Sequence, residues 1–116
     1  MDIRVASIID FGEIVINKGE IDGIYSQMEF LVYEDGQSII DPITKENLGK
    51  LEIPKGKFKV LHTQEKMTVL ISDYRPNKNV FNLGIIEQED NKYVKIKSIK
   101  IGDKVKVLNE SKFVAG

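Results

Sequence analysis

The chain has 116 residues, of which 41% are hydrophobic and 30% charged, and its formal net charge is -1. Such a composition belongs to one globular domain and lies outside the disordered range, while the near-balanced charge gives no whole-domain attraction to nucleic acid or anionic membranes. There is no cysteine, so disulfides, thiolate nucleophiles and the usual structural zinc sites are excluded.

Near the N-terminus, Ile3, Val5 and Ile9 share one parity and Asp2, Arg4 and Asp10 the other, the period of a half-buried strand. Phe11-Gly12 turns the chain into 13–17, where Ile14-Val15-Ile16 is β-branched throughout and suits a second strand. The turn-rich stretch 17–23 has room for a single helical turn, with Gly19 and Gly23 expected at positive φ. Met28, Phe30 and Val32 alternate with Glu29, Leu31 and Tyr33 in a third strand, expected to end at Glu34-Asp35-Gly36. Ser38-Ile39-Ile40 reads as a short strand leading to Asp41-Pro42. The next strand, 48–53, is expected to break at Pro54 and Gly56. Phe58, Val60 and His62 alternate with Lys57, Lys59 and Leu61. After the turn Gln64-Glu65-Lys66, Met67, Val69 and Ile71 alternate again, which makes this the best local hairpin in the sequence.

From 73 to 91 the pattern degrades. Arg75-Pro76-Asn77-Lys78-Asn79 reads as a loop, 80–86 as a strand weakened by Gly84, and 87–91 as a further turn. Two strands, 93–101 and 104–108, follow around Gly102-Asp103. The apolar parity flips between Ile96 and Ile99, which predicts a bulge near Ser98. No stretch carries an apolar stripe over the roughly ten residues a helix requires. Short strands with turns roughly every eight to twelve residues point to an all-β sandwich or barrel, and at this length a barrel manages its edges better than a flat sheet. The expectation is a single all-β domain over 1–109, with an irregular excursion at 73–91 and a flexible tail at 110–116.

The arrangement Asn17-x-Gly19-x-x-Asp22-Gly23-Ile24, then Met28-x-Phe30-x-Val32-Tyr33, then Asp41-Pro42-x-Thr44 with Leu48-Gly49, resembles the C-terminal domain of the flagellar assembly protein T family. The hairpin over 58–72 and the closing Gly102-Asp103-Lys104-Val105 fit the same pattern. Ser26-Gln27 stands where the family carries a glycine, and the 73–91 stretch is longer than the family's connection. The resemblance implies a small SH3-like β-barrel and brings no catalytic residues.

Asp41 precedes a proline turn, where its carboxylate can accept hydrogen bonds from backbone two residues on. Asn17, Gly19, Asp22, Gly23, Asp41, Pro42 and Gly49 are accordingly read as structural turn residues. Around Asp22-Gly23 the alternating oxygen ligands and terminal glutamate of a calcium loop are missing. His62, the one histidine, shares parity with Phe58 and Val60 and is expected at the edge of the core. Lys92, Lys95, Lys97, Lys100, Lys104 and Lys106 surround Tyr93 and are opposed only by Asp103. On strands they form an outer face that either solubilises an edge or binds single-stranded nucleic acid.

No catalytic, cofactor or metal set can be assembled from these residues. The sequence points to a non-enzymatic protein-interaction or assembly module that binds through loops or an exposed strand edge, its partner and oligomeric state open. A nucleic-acid-binding barrel using the face over 92–106 is the alternative, and a small-molecule sensor using the barrel mouth the third. No membrane association is expected. With no basic segment followed by an apolar run at Met1-Asp2-Ile3-Arg4-Val5, the expected compartment is the cytoplasm, or the envelope if the chain is excised from a longer protein.

Overall fold

The computed structural model describes residues 1–74 and 87–109, with side chains in the second stretch from 92 onward. Six strands, β1 (Ile3–Asp10), β2 (Glu13–Ile16), β3 (Glu29–Ile40), β4 (Asn47–Thr63), β5 (Thr68–Ser72) and β6 (Lys104–Val107), pair antiparallel throughout. They close into a ring in the order β1-β2-β5-β4-β3-β6, so the fold is all-β, with one short α-helix among the described residues, α1 (Glu87–Lys97). Closure removes most of the edges that an open sheet of short strands would expose.

The interior follows from the alternation. Ile3 and Val5 of β1, Ile14 and Ile16 of β2, Phe30 and Val32 of β3, Phe58 of β4, Leu70 of β5 and Val105 of β6 all point inward. Phe30 and Phe58 face one another across β3 and β4, and both are fully buried. On the order of 1.5–3 kcal/mol per buried side chain of this size makes the cluster the main source of stability. On β5 the inward row is Thr68, Leu70 and Ser72, and the alternating row of Met67, Val69 and Ile71 lies on the outside. Thr68 tolerates burial because its Oγ1 donates to the Lys18 carbonyl at 2.8 Å.

The turn after β2 contains a 3-10 segment, Glu20–Asp22, the single helical turn expected there. Gly23 ends it at φ 88°, in the left-handed region, as predicted. Gly19 does not share that conformation. Its backbone is extended, and glycine is needed there because a Cβ would sit 2.3 Å from the Gln64 carbonyl oxygen. That approach lets the Glu20 and Ile21 N–H groups donate to the carbonyls of Gln64 and Glu65, at 2.9 and 3.1 Å.

Several predicted boundaries are overturned. β3 runs straight through Glu34-Asp35-Gly36, and β4 through Pro54 and Gly56. Register shifts absorb the awkward residues: one lies between Asp35 and Ser38, and another sets Lys55 as an extra residue opposite the Val32-Tyr33 step. Pro54 is tolerated beside that second bulge. On β1, shifts between Val5 and Ser7 and between Ile8 and Asp10 turn Ile9 outward, away from the face of Ile3 and Val5.

The largest correction concerns 87–101, expected as a turn and a strand and found as α1 and its exit. The parity flip between Ile96 and Ile99 is a three-residue spacing, not a bulge, and both side chains are buried against the ring. Gly56 makes room for this packing, since a Cβ there would lie 3.3 Å from Ile96 Cγ1. The predicted loop and strand within 75–86 and the tail at 110–116 lie outside the described residues.

Candidate functional site

β6 pairs with β3 only from Phe30 to Tyr33, and β5 with β4 only from Phe58 to Thr63. Beyond those points, 34–40 and 47–53 pair only with each other among the described residues, and form a two-stranded arm that projects from the ring. An isolated ribbon of this kind is marginal in water, so something must hold it. Three lysines do so at its base. Lys104 donates to Asp35 Oδ2, and Lys106 to Glu52 Oε1 at 2.6 Å, which ties one face of the arm to β6. Lys106 also lies 5.6 Å from the centre of the Tyr33 ring. On the half-buried Asp35–Lys104 pair, the hydrogen bond holds the Asp35 carboxyl below its ordinary range and raises the Lys104 ammonium above its own.

The third tie is buried. Lys55, the extra residue of the β4 bulge, is 4% exposed, and its ammonium donates to Asp103 Oδ2 at 2.8 Å and to the Ser98 carbonyl at 3.0 Å. Glu34 Oε1 stands 3.2 Å away. Asp103 Oδ2 also accepts the Lys100 N–H at 2.9 Å. One side chain therefore joins the arm, the exit of α1 and the turn before β6. Neither Lys55 nor Asp103 is marked as a pair in the sequence, because 48 positions separate them and only the bulge turns Lys55 inward.

The tip of the arm is a rigid turn. Asp41 Oδ1 accepts the N–H groups of Ile43 and Thr44 at 2.8 and 3.3 Å, and the Asp41 N–H donates to the Glu46 carbonyl at 2.8 Å. Those backbone donors lower the Asp41 carboxyl below its ordinary range, the turn role predicted from the sequence. Lys45 takes a left-handed φ of 66° to complete the turn. Gly49, expected as a turn residue, lies inside β4 at φ 105°. On this scaffold Ile43 is 87% exposed, and Ile40, Leu48, Leu51 and Ile53 are exposed with it.

The predicted lysine face does not form as a strand face. Lys92, Tyr93, Lys95 and Lys97 lie on α1, Lys100 in the turn after it, and Lys104 and Lys106 on β6. The last two meet Asp35 and Glu52. Lys97 stands over Tyr93, whose ring stacks on Phe11 at 4.8 Å. His62 is also displaced from its predicted place at the core edge. A bulge between Val60 and His62 makes Leu61 the extra residue, and His62 is exposed opposite Val69.

An open groove of about 380 Å³ between β4 and α1 is bordered by Leu31, Pro54, Gly56, Tyr74 and Ile96. Its lining includes Ser72 and Asp73 but no histidine to act as a base. Among the described residues no group of three or more histidines, aspartates or glutamates is placed to hold a metal, and no helix is long and apolar enough to cross a membrane. Compared with models of known protein families and with curated proteins, the chain matches none.

Proposed function

We propose that the chain is a non-enzymatic protein-interaction module whose adhesive element is the β3–β4 arm. The observation that carries this reading is the exposure of Ile40, Ile43, Leu48, Leu51 and Ile53 on a ribbon braced by ion pairs at its base and by Asp41 at its tip. Single exposed apolar residues are ordinary, but five concentrated on one projecting hairpin support an interaction role for it. A preorganised ribbon also loses little further conformational freedom on binding. Strand addition to its edges and insertion of its apolar side chains into a partner's groove are both open to it.

The test is site-specific photocrosslinking in cells, with a photoreactive phenylalanine analogue at Ile43 or Leu48 and, as control, at Lys59 on the ring. Discrete protein adducts from the two arm positions and none from the control are expected. Adducts spread equally over all three positions, or adducts to nucleic acid alone, would refute the arm as the interaction surface.

A further inference from the structure

We infer that the first partner of the arm is a second copy of this chain, joined edge to edge through 49–53 of β4. The inference rests on the arm being an interaction surface and names its occupant. On the side away from β3, this segment has no backbone partner among the described residues, and its pairs with β3 include Gly49–Ile39, Lys50–Ser38, Glu52–Asp35 and Ile53–Glu34. The opposite edge of the arm is a poor template. Gly36 and Gln37 sit at the register shift between Asp35 and Ser38, which breaks the regular run of donors and acceptors on β3.

Charge decides the register. Side chains two apart share a face, so Lys50 and Glu52 lie on one side of β4 and Leu51 and Ile53 on the other. For two identical antiparallel strands related by a two-fold axis normal to the sheet, the centre of pairing must fall on a residue. Centred on Lys50 or on Glu52, the pairing sets like charges directly opposite one another, which is destabilising. Centred on Leu51, it sets Lys50 of each copy opposite Glu52 of the other, with Leu51 facing its own copy. The same register lays each Ile53 beside the other copy's Gly49, which has no side chain to obstruct it. A slip by one residue would turn Leu51 and Ile53 to the opposite face of the shared sheet.

The segment is also bounded. Pro54 cannot donate to a ladder, and just beyond Gly49, at φ 105°, the register between β3 and β4 shifts. Two copies therefore use up the edge that joins them, and the product is a closed dimer, not a fibre. The contact is small, so the dimer is expected to be weak and visible only at high concentration.

Sedimentation equilibrium over roughly 10–500 µM tests the pairing on wild type, Lys50→Glu, Glu52→Lys and the double swap, each checked for an unchanged circular dichroism spectrum. Wild type should dimerise, and each single swap should weaken association about tenfold or more. The double swap restores opposite charges between copies in the reverse order; made together with Lys106→Glu, so that Glu52→Lys still meets an opposite charge within its own chain, it should recover association to within about threefold. Leu51→Cys in this cysteine-free chain should oxidise to a symmetric disulfide dimer, since residues directly opposed in antiparallel strands lie within disulfide reach, roughly 4.5–5.5 Å between Cα atoms. A wild type that stays monomeric at the highest concentration, a dimer indifferent to Lys50→Glu, or a double swap no better than the singles would each overturn the self-pairing. A monomer whose Ile43 and Leu48 positions still crosslink to another protein overturns self-pairing alone. A monomer whose arm crosslinks to nothing overturns the interaction reading as well.

Discussion

Replacing Lys55 by methionine should destabilise the ring far more than removing any other lysine. In the native protein the ammonium is 4% exposed and meets Asp103 at 2.8 Å, the Ser98 carbonyl at 3.0 Å and Glu34 at 3.2 Å. Methionine fills similar space without charge, so the apolar packing changes little and the electrostatic loss dominates. It strands the Asp103 carboxylate, 5% exposed, with only the Lys100 N–H donating to it among the described residues. Breaking a buried pair by removing one partner typically costs about 3–5 kcal/mol, because the remaining charge stays desolvated. Against the roughly 5–15 kcal/mol that holds a domain folded, this is about a fifth or more of the total. Urea denaturation should show a midpoint lowered in proportion, with the slope unchanged. Asp103→Asn on the Lys55→Met background removes the stranded charge while an amide oxygen still accepts the Lys100 N–H, so the double variant should recover part of the loss. If Lys55→Met costs less than about 1 kcal/mol, or if the two substitutions simply add, the pair is not a desolvated unit and the argument fails.

Gly19→Ala should cost about 2–3 kcal/mol, because its Cβ would collide with backbone atoms of Gln64, Glu65 and Met67 that cannot retreat without breaking two hydrogen bonds. Gly23→Ala, with nothing within 4 Å but a left-handed backbone, should cost nearer 1 kcal/mol; thermal melts of the two would expose any reversal of that order. His62→Gln should change stability by less than about 0.5 kcal/mol, since the ring is exposed, and a larger loss in a urea titration would restore it to the core. Asp35 and Asp41 have folded pKa values below the ordinary 3.8, so their contributions are complete above that value and are lost as pH falls through the folded values. Lys104 is raised above 10.5, so its share holds below that pH and is lost above it. Amide exchange followed by NMR should therefore show the arm opening below about pH 4 while the ring stays protected, and simultaneous loss in both would contradict the bracing.

The ring was legible because its signals are local. Parity set Ile3 with Val5, and Met28 with Phe30 and Val32, on rows that the ring buries, it put Phe58 on a core-facing row, and Phe11-Gly12, Asp41-Pro42 and Gly102-Asp103 fell at turns. Failures cluster where one extra residue resets the parity. The bulge at Leu61 moved His62 outward, and the one at Lys55 carried β4 past Pro54. α1 escaped because a search for a long apolar stripe cannot find a helix that buries little more than Ile96 in its described part. A different signal was present. Glu87, Glu89 and Asp90 begin the segment, and Lys95 and Lys97 end it, the order that complements a helix dipole. The candidate site had a weaker trace: Ile39, Ile40, Ile43, Leu48, Leu51 and Ile53 are apolar, but only the pairing of β3 and β4 beyond the ring shows that they have no core to enter among the described residues.

The arm is separable in its energetics from the ring that bears it. Every residue of the buried cluster falls between Ile3 and Val32 or between Phe58 and Val105, so the interior is complete without 34–53. Packing of the core gives no reason for isoleucine and leucine on the projecting ribbon. Solubility gives a reason against them, since charged residues on an edge would protect it better. The same ribbon nevertheless receives Lys104 and Lys106 from β6, a buried ammonium at its base and a carboxylate-capped tip. Interactions that rigidify an apolar element without burying it lower the entropic cost of a later binding event, and of these only the Lys55 pair also serves the ring. That asymmetry is the physical ground for placing function on the arm and not in the ring.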